Sequence, residues 1–290
     1  MSSTTAQPDS SGDPAIAAIL RDFPVSAGAF IVTLYGDVVA PRGGELWMGN
    51  IIEACAAVGI GESRVRTAVS RLVSGGQLVG FKEGRRSYYR LSPEAEREFQ
   101  RAARLIYAPP RADPLRGWHM VVLPVGEDRD ALLSRLTALR FGLARPHLAI
   151  RPDRGEPLPP LGTPHFRATT EDDLTALAAQ AWDLPGLQDD MARFVSGFSA
   201  VRADSAAALG LRLLLVHAFR RIALRDPALP LGMLPEGWPA PQARSLFARL
   251  YLALSPAADQ AVTSGFVDRN GPLLPDQARM ARRIADLAEA

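Results

Sequence analysis

The chain of 290 residues contains very little cysteine, lysine and histidine. Its single cysteine, Cys55, excludes an internal disulfide and any metal site built from several thiolates. The four histidines, His119, His147, His165 and His217, are scattered without the short spacing of a zinc motif, so we expect no metal. The chain also lacks a Gly-x-Ser-x-Gly motif, a glycine-rich phosphate loop and a catalytic pair of acids. These absences argue against an enzyme and against a resident cofactor.

Long apolar runs are missing as well. No segment approaches the ~18 consecutive apolar residues of a membrane span. The opening residues, MSSTTAQPDSSGDP, have neither the basic residues nor the apolar core of a signal peptide, and their composition predicts disorder. The hydrophobic content of 47% is ordinary for a globular chain, and the length suggests about two domains. We therefore expect a cytoplasmic protein with no membrane partner.

The most informative segment covers residues 59–91. Glycines at 59 and 61 predict a tight turn, and apolar residues three and four apart predict a helix over Glu62–Ser74. Gly75 and Gly76 end this helix because glycine accepts positive φ. The face opposite the apolar stripe is polar and basic, and it carries Ser63, Arg64, Arg66, Thr67, Ser70 and Arg71.

Two short β-type runs follow this helix, Leu78–Lys82 and Ser87–Leu91, and the basic connection between them is typical of a hairpin. A turn, a helix with arginines on one face and a basic hairpin are together typical of a winged helix-turn-helix. Over residues 58–91 basic residues outnumber acids by seven to two, whereas the whole chain has a net charge of only +2. Such a local excess attracts phosphate. The alternative is a solvated helix face beside an ordinary hairpin.

The candidate DNA-contacting residues come from this helix, the hairpin and one earlier loop. They are Arg42, Ser63, Arg64, Arg66, Thr67, Ser70, Arg71, Lys82, Arg85, Arg86 and Tyr88. We expect the helix to enter the major groove, and Arg85 and Arg86 to meet phosphate or the minor groove.

The residues around this segment predict three further helices. Residues 26–39 and 45–58 are predicted as two helices separated by Pro41–Gly44, and Ser92 and Pro93 begin a third that ends near Tyr107. Cys55 falls in the apolar stripe of the second, which predicts a buried hydrophobic residue and not a reactive thiol.

Three runs, AFIVTLYGDVVAPRGGELW, GESRVRTAVSRLV and GRRSYYRLS, resemble the PaaX family of bacterial transcriptional repressors of phenylacetic acid catabolism and related aromatic pathways. The resemblance is strongest over residues 29–91 and continues more diffusely to about Leu254. It implies an α+β fold with an N-terminal winged helix-turn-helix, a ferredoxin-like middle domain and a helical C-terminal domain. It also implies a homodimer on double-stranded operator DNA, with an acyl-coenzyme A effector, typically phenylacetyl-coenzyme A.

The domain boundaries that we expect combine this resemblance with the sequence patterns. They are a disordered tail over 1–24, the DNA-binding domain over 25–110, the middle domain over 111–182 and an effector and dimerisation domain over 183–290.

The middle of the chain has its own pattern of predicted elements. They are a strand at 117–125, a helix at 129–141, weaker strands at 148–150 and 165–168, and a helix at 171–182 that opens with Asp172 and Asp173. This is most of a ferredoxin-like unit. A nuclease of that fold would need a metal-binding acid at the end of the first strand. Here only Glu127 lies near, beyond Leu123-Pro124-Val125, so nuclease activity is disfavoured.

The C-terminal part is predicted to be helical, with helices over 187–199, 209–224, 242–254 and 276–290. The second of these is the most apolar, yet it carries His217, Arg220 and Arg221 three and four residues apart. The run HAFRR matches the His-x-aromatic-Arg-Arg signature of the family.

Two explanations of this signature stay open. In one, the two arginines and His217 bind the phosphates or carboxyl of an effector. In the other, the arginines pair with acids such as Asp189, Asp190 or Asp226 and hold the domains together. The function that we expect is an effector-released, DNA-binding repressor of an aromatic catabolic operon. The alternatives are an acyl-coenzyme A-handling enzyme and a DNA-binding protein without a ligand.

Overall fold

The computed structural model describes residues 13–109, 114–126, 128–155, 157–170, 174–202 and 207–289. Helices and antiparallel sheets are both present, which confirms the α+β class. The chain separates into two compact units. The first contains residues 1–109, 193–220 and 242–290, and the second contains residues 110–192 and 221–241. The helical C-terminal part thus contributes to both units, and the four-part linear division stays a prediction.

The N-terminal part of the first unit has five helices and three strands among the described residues. The helices are α1 (Pro14–Asp22), α2 (Ala27–Leu34), α3 (Met48–Ala56), α4 (Glu62–Ser74) and α5 (Pro93–Tyr107). The strands are β1 (Glu45–Trp47), β2 (Leu78–Glu83) and β3 (Arg86–Leu91), which form an antiparallel sheet in the order β1-β3-β2.

The predicted segment 59–91 is confirmed in its elements. Helix α4 has the predicted bounds, and it buries Val65, Ala68 and Val69. The hairpin is tighter than expected, because Glu83 and Arg86 pair with each other in the ladder. The two-residue turn between them begins at a glycine with φ of 58°, a left-handed conformation that suits such turns.

Two predicted helices were partly wrong. Glu45–Trp47 forms β1 instead of the start of a helix, because its backbone pairs with β3 and Leu46 is fully buried. The helix predicted over 26–39 is α-helical only to Leu34. A π-helical turn, Tyr35–Val39, and a 3-10 turn, Ala40–Arg42, follow it.

The C-terminal part of the chain supplies further elements. They are α8 (Leu184–Phe198), α9 (Ala208–Ala223), α10 (Ala240–Gly265), β8 (Val267–Asp268), β9 (Gly271–Pro272) and α11 (Gln277–Ala288). The prediction that α10 ends near Leu254 was wrong, since the helix continues through Pro256. It does so even though proline has no backbone N–H to donate a hydrogen bond within the helix. In the first unit, Phe219 stacks on Phe247 with ring centroids 4.1 Å apart.

The second unit has a four-stranded antiparallel sheet in the order β5-β6-β4-β7. Its elements are β4 (Gly117–Val122), α6 (Asp128–Ala138), β5 (Gly142–Arg145), β6 (Leu148–Asp153), β7 (His165–Ala168) and α7 (Thr175–Ala181). Strand β5 was not predicted. The predicted positions of Glu127, Asp172 and Asp173 lie outside the described residues.

Each face of this sheet packs on its own hydrophobic cluster. Val121 on one face lies with Leu132 and Leu136 of α6. Trp118 on the other face lies with Ala178 of α7. Burying such side chains stabilises the unit by about 1.5–3 kcal/mol each for the larger ones.

Among the described residues, no single helix combines the length and apolar composition needed to cross a membrane. Two consecutive helical segments, Pro14–Asp22 and Ala27–Arg42, reach the required length and apolar composition only when they are taken together, and the angle between them is 117°.

Candidate DNA interface and effector residues

The polar face of α4 is open to solvent. Its predicted DNA-contacting side chains are all exposed: Ser63, Arg64, Arg66, Thr67, Ser70 and Arg71. The helix is held from its other side, where Val65 and Val69 are almost completely buried. A helix anchored along one stripe with arginines along the other has the form that a major-groove reader requires.

The arginines of this face differ in their partners. Arg66 contacts Glu62 one turn earlier, with Nε and Nη2 each 2.7 Å from Oε1, and both side chains are more than half exposed. The guanidinium groups of Arg64 and Arg71 make no hydrogen bond or ion pair with any described residue. Any other anion that binds Arg66 would have to displace Glu62, whereas no such displacement is needed at Arg64 or Arg71.

The hairpin β2–β3 presents three exposed basic residues, Lys82, Arg85 and Arg86. The guanidinium of Arg86 lies 4.8 Å from the ring centre of Trp47, which fixes its position on the sheet. Tyr88 differs, because it is only 4% exposed and stacks against a neighbouring ring. Burial contradicts the predicted DNA contact of Tyr88.

Arg42 is also buried, which contradicts its predicted DNA contact. Its Nη2 donates to Asp259 Oδ1 at 2.7 Å, and its Nη1 donates to the carbonyl of Val38 at 3.0 Å. The carbonyl belongs to the π-helical turn before Arg42, so the side chain closes that turn and ties it to α10. The local pattern around Arg42 could not reveal this ion pair, because Asp259 is more than two hundred residues away.

The sequence also missed Arg269, in the short hairpin β8–β9. Its guanidinium lies 4.8 Å from the ring centre of Phe81 on β2 and pairs with Glu45 Oε2 at 3.4 Å. Its backbone N–H donates to Glu45 Oε1 at 3.1 Å, and the N–H of Val267 donates to Asn50 Oδ1 at 3.0 Å. The C-terminal hairpin thereby adds a partly exposed arginine to the basic sheet β1-β3-β2.

A cluster of buried charge lies around Asp37 in the π-helical turn. Its Oδ2 accepts from Arg212 Nε at 3.0 Å, and its Oδ1 accepts from Arg283 Nη1 at 3.2 Å. The hydroxyls of Tyr107 and Tyr251 donate to Oδ1 at 2.9 and 2.8 Å. One carboxylate therefore connects α5, α9, α10 and α11.

The chemistry of this cluster keeps Asp37 ionised. Burial raises the pKa of its carboxyl, but Arg212, Arg283 and the two tyrosine hydroxyls outweigh burial, and the net pKa lies below the usual value. Arg212 also donates to Asp259 at 2.7 Å. Its Nη2 is buried with no hydrogen-bond partner among the described residues, so the cluster carries a desolvation cost as well as attraction.

The three ionisable residues of the HAFRR signature, His217, Arg220 and Arg221, differ in how deeply they are buried. His217 is buried, and its Nδ1 lies 2.9 Å from Thr33 Oγ1. Since that hydroxyl donates to Ala29 O, it accepts the proton of Nδ1. Arg220 Nη2 also donates to Ala29 O, at 3.3 Å. Two of the three side chains thus contact α2.

Two of the three acids proposed as partners for these arginines, Asp190 and Asp226, make other contacts. Asp190 Oδ2 accepts from Arg225 Nη1 at 2.5 Å, and Asp226 Oδ1 accepts from the N–H of Ala228 at 2.8 Å. Arg221 is exposed and makes no hydrogen bond or ion pair with any residue that the structure describes. Arg221 is therefore available to a ligand in a way that His217 is not.

Cys55 has the predicted character of a buried hydrophobic residue. It is fully buried, and burial raises the pKa of its thiol to about 12. The thiolate, which is the reactive form, is therefore scarce at neutral pH.

Comparison with known proteins gives matches over much of the chain. Residues 26–95 match the family described as PaaX-like protein, and residues 182–264 match the PaaX-like protein C-terminal domain. Transcriptional repressor PaaX of Escherichia coli (strain K12) is 31% identical over 263 residues, which cover 81% of this chain and 82% of that protein. The solved structure of uncharacterized protein Rv0674 from Mycobacterium tuberculosis shares 28% identity, covering 73% of this chain and 89% of that chain with a TM-score of 0.49. The chain belongs to the PaaX-like family, so it is a homologue of a transcriptional repressor and not an enzyme.

Proposed function

We propose that the protein is a sequence-specific repressor that binds double-stranded operator DNA as a homodimer through a winged helix-turn-helix over residues 25–110. The exposed polar and basic face of α4 carries this proposal. Helices α3 and α4, the sheet β1-β3-β2 and the basic turn between β2 and β3 have the order that this motif needs. Dimerisation would place two copies of α4 about one helical turn of DNA (~34 Å), or a multiple of it, apart.

The wing in this proposal has two sources. Lys82, Arg85 and Arg86 come from the hairpin, and Arg269 reaches the same sheet from the C-terminal hairpin. Phosphate contacts of this kind add affinity without sequence preference, while the arginines of α4 supply the base contacts.

The middle of the chain supports a ferredoxin-like assignment in part. The strand order β5-β6-β4-β7 with antiparallel neighbours is that of a ferredoxin-like sheet. The departure is that α7 follows the last strand instead of preceding it, and a proline-rich loop leads into β7.

For regulation, we propose that an acyl-coenzyme A such as phenylacetyl-coenzyme A releases the repressor from a phenylacetate-type catabolic operon. His217, Arg220 and Arg221 are the proposed effector residues, and the exposure of Arg221 supports this role. A ligand-independent DNA-binding protein is the second candidate, and one observation favours it. His217 and Arg220 already contact α2 within the protein.

Fluorescence anisotropy on DNA fragments flanking the protein's own gene, at fixed salt, tests both parts. We expect specific binding that phenylacetyl-coenzyme A releases and free phenylacetate does not. Arg221→Gln should abolish release without changing DNA affinity, and Arg249→Gln, an exposed arginine on α10, is the matched control. Absence of specific binding rejects the repressor, whereas binding indifferent to the thioester rejects only the effector.

A further inference from the structure

One face of the sheet β1-β3-β2 carries a row of three aromatic side chains. Trp47 on β1 lies directly opposite Tyr88 on β3, and Tyr88 lies directly opposite Phe81 on β2. Residues that pair directly across neighbouring strands point to the same face of a sheet. The rings of Phe81 and Tyr88 are stacked, with their centroids 5.9 Å apart and an angle of 17° between their planes. The row therefore crosses all three strands.

An arginine lies over the ring at each end of this row. The guanidinium carbon of Arg86 is 4.8 Å from the ring centre of Trp47, and that of Arg269 is 4.8 Å from the ring centre of Phe81. Arg86 comes two residues before Tyr88 on β3, so its side chain leaves the strand on the same face as the row. A guanidinium over an aromatic ring is attracted to the negative face of the ring.

Arg86 differs in this respect from Arg85, its neighbour in the basic turn. Both side chains are exposed. Arg85 lies over no aromatic ring in the part of the chain that the structure describes, whereas Arg86 lies over Trp47. The guanidinium of Arg86 makes no hydrogen bond or ion pair with any described residue. The ring thus restricts Arg86 without occupying its N–H donors, which are the groups that bind phosphate oxygens.

The place of the Trp47 ring depends in turn on a glycine. The ring lies against Gly49, the second residue of α3. A β-carbon added at Gly49 would be 2.5 Å from Cζ3 and 2.6 Å from Cζ2 of the ring. Carbon atoms that are not bonded to each other prefer separations of about 3.5–4.0 Å, so the ring can lie here only because residue 49 has no side chain.

We propose that Trp47 is a positioning residue for DNA binding, which holds Arg86 where it meets a phosphate, and that Gly49 is required because it leaves room for the ring. This role rests on the proposed repressor function. A free arginine side chain samples many rotamers and loses that freedom when it binds. The ring imposes part of this restriction before DNA arrives, so less entropy is lost on binding.

The expected effect of Trp47 is independent of DNA sequence. Phosphates are present on every duplex, so a held Arg86 strengthens specific and unrelated complexes alike. A disturbance of α4 has a different result, because base contacts are lost only on the duplex that the protein selects. Comparison of the two duplexes therefore separates a role through Arg86 from a role in supporting α4.

A double-mutant cycle on the full chain tests this role. Fluorescence anisotropy at fixed salt measures binding to a duplex that the wild type selects and to an unrelated duplex. We expect Trp47→Leu to weaken both complexes by about twofold to tenfold, and Trp47→Phe, which keeps an aromatic face, to lose less. In the Arg86→Ala background, Trp47→Leu should cause no further loss. In the Arg85→Ala background it should cause its full loss, because Arg85 does not lie over the ring.

Gly49→Ala repeats the test without removing an aromatic side chain. It should weaken both complexes as Trp47→Leu does, and this loss should also vanish in the Arg86→Ala background. Gly28→Ala is the matched control, because Gly28 is likewise the second residue of a helix, α2, and an added β-carbon there meets no atom within 4 Å. It should bind as the wild type does. Melting curves show whether each variant is folded, and alanine is the better helix former at both positions.

Three results would overturn the proposal. They are an equal loss from Trp47→Leu with and without Arg86, a loss confined to the selected duplex, and unchanged binding in Gly49→Ala. If Trp47→Leu does not fold, Gly49→Ala decides between the outcomes. Each of these results leaves the repressor function intact as long as the wild type selects its duplex, whereas a wild type that selects no duplex rejects the repressor function and the role of Trp47 together.

Discussion

The first unit uses its arginines in two opposite ways. Arg212 and Arg283 are buried against the carboxylate of Asp37, where they connect helices that are far apart in the sequence. Arg64 and Arg71 on α4 are exposed and contact no acid among the described residues. The residue type is the same, and its burial and partners differ. A count of basic residues therefore indicates nucleic-acid binding only after the buried ones are set aside.

Buried and exposed arginines also differ in how much stability is lost when their partner is removed. Removing one partner of a buried ion pair leaves an uncompensated charge and costs about 3–5 kcal/mol of stability. Exposed pairs contribute about 0–1 kcal/mol, because water competes for both groups. Substitutions in the buried cluster should change folding, and those on the exposed face should change binding.

The largest effect is expected from Asp37→Ala. It leaves Arg212 and Arg283 buried without their shared carboxylate, and we expect a loss of about 3–5 kcal/mol in the free energy of unfolding. Urea unfolding measures this loss. Glu94→Ala removes a carboxylate that pairs with Arg97 on the surface, and it should shift the urea midpoint far less than Asp37→Ala does. Equal midpoint shifts for the two variants would contradict the comparison.

Acid should weaken the buried cluster and spare the arginines of α4. Because the pKa of Asp37 is lowered on folding, its stabilisation is fully present above its unfolded-chain pKa of about 3.9 and is lost as pH falls through the folded value. The free energy of unfolding should fall with pH more steeply below about pH 4 in the wild type than in Asp37→Asn. Urea titrations across that range supply the slopes, and parallel slopes would exclude a contribution from Asp37.

The sequence predicted elements well where local signals are strong. Helix α4 lies between glycines and has a clean apolar stripe, so its bounds were correct. Glu45–Trp47 was misread because three residues carry little periodicity, and pairing with β3 decides their conformation. Strand β5 is similarly short. The continuation of α10 through Pro256 depends on tertiary packing, which overrides the local signal.

Prediction of the candidate site was limited in the same way, because contacts between residues far apart in the sequence leave no local pattern. Side chains on α4 and the hairpin are exposed because the apolar stripe dictates which face is free. The burial of Arg42 depends on Asp259, and Asp37 acquires its partners from positions up to 246 residues away. The sequence did contain one signal of the buried cluster. Asp37 and Arg212 each interrupt an otherwise apolar run, and a charge in such a run requires a partner when it is buried.

A phosphate-contacting arginine should have a smaller and non-selective effect. Arg85→Ala at the turn of the hairpin should weaken binding to specific and unrelated duplexes alike, and it should reduce the slope of log K against log salt by about one. Anisotropy titrations at several salt concentrations give the slope. A loss confined to one sequence would instead make Arg85 a base-reading residue.

The smallest effect is expected from the exposed pair on α4 itself. Glu62→Gln removes the partner of Arg66, and because both groups are more than half exposed, stability should change by less than about 0.5 kcal/mol. DNA affinity should rise, since a negative charge is lost and Arg66 no longer exchanges partners. Unfolding and anisotropy measurements on the same preparation separate the two quantities, and weaker DNA binding would count against this role of Arg66.

The most direct test of the central claim is the DNA affinity of Arg66→Ala/Arg71→Ala at fixed salt, on a duplex that the wild type selects from a random pool. We predict that specific affinity falls by about 1–3 kcal/mol for each base-contacting arginine, while the urea midpoint stays that of the wild type. Arg282→Ala, with an exposed arginine on α11, should bind as the wild type does. Unchanged specific affinity in the double variant would contradict the assignment of α4 as the element that reads DNA.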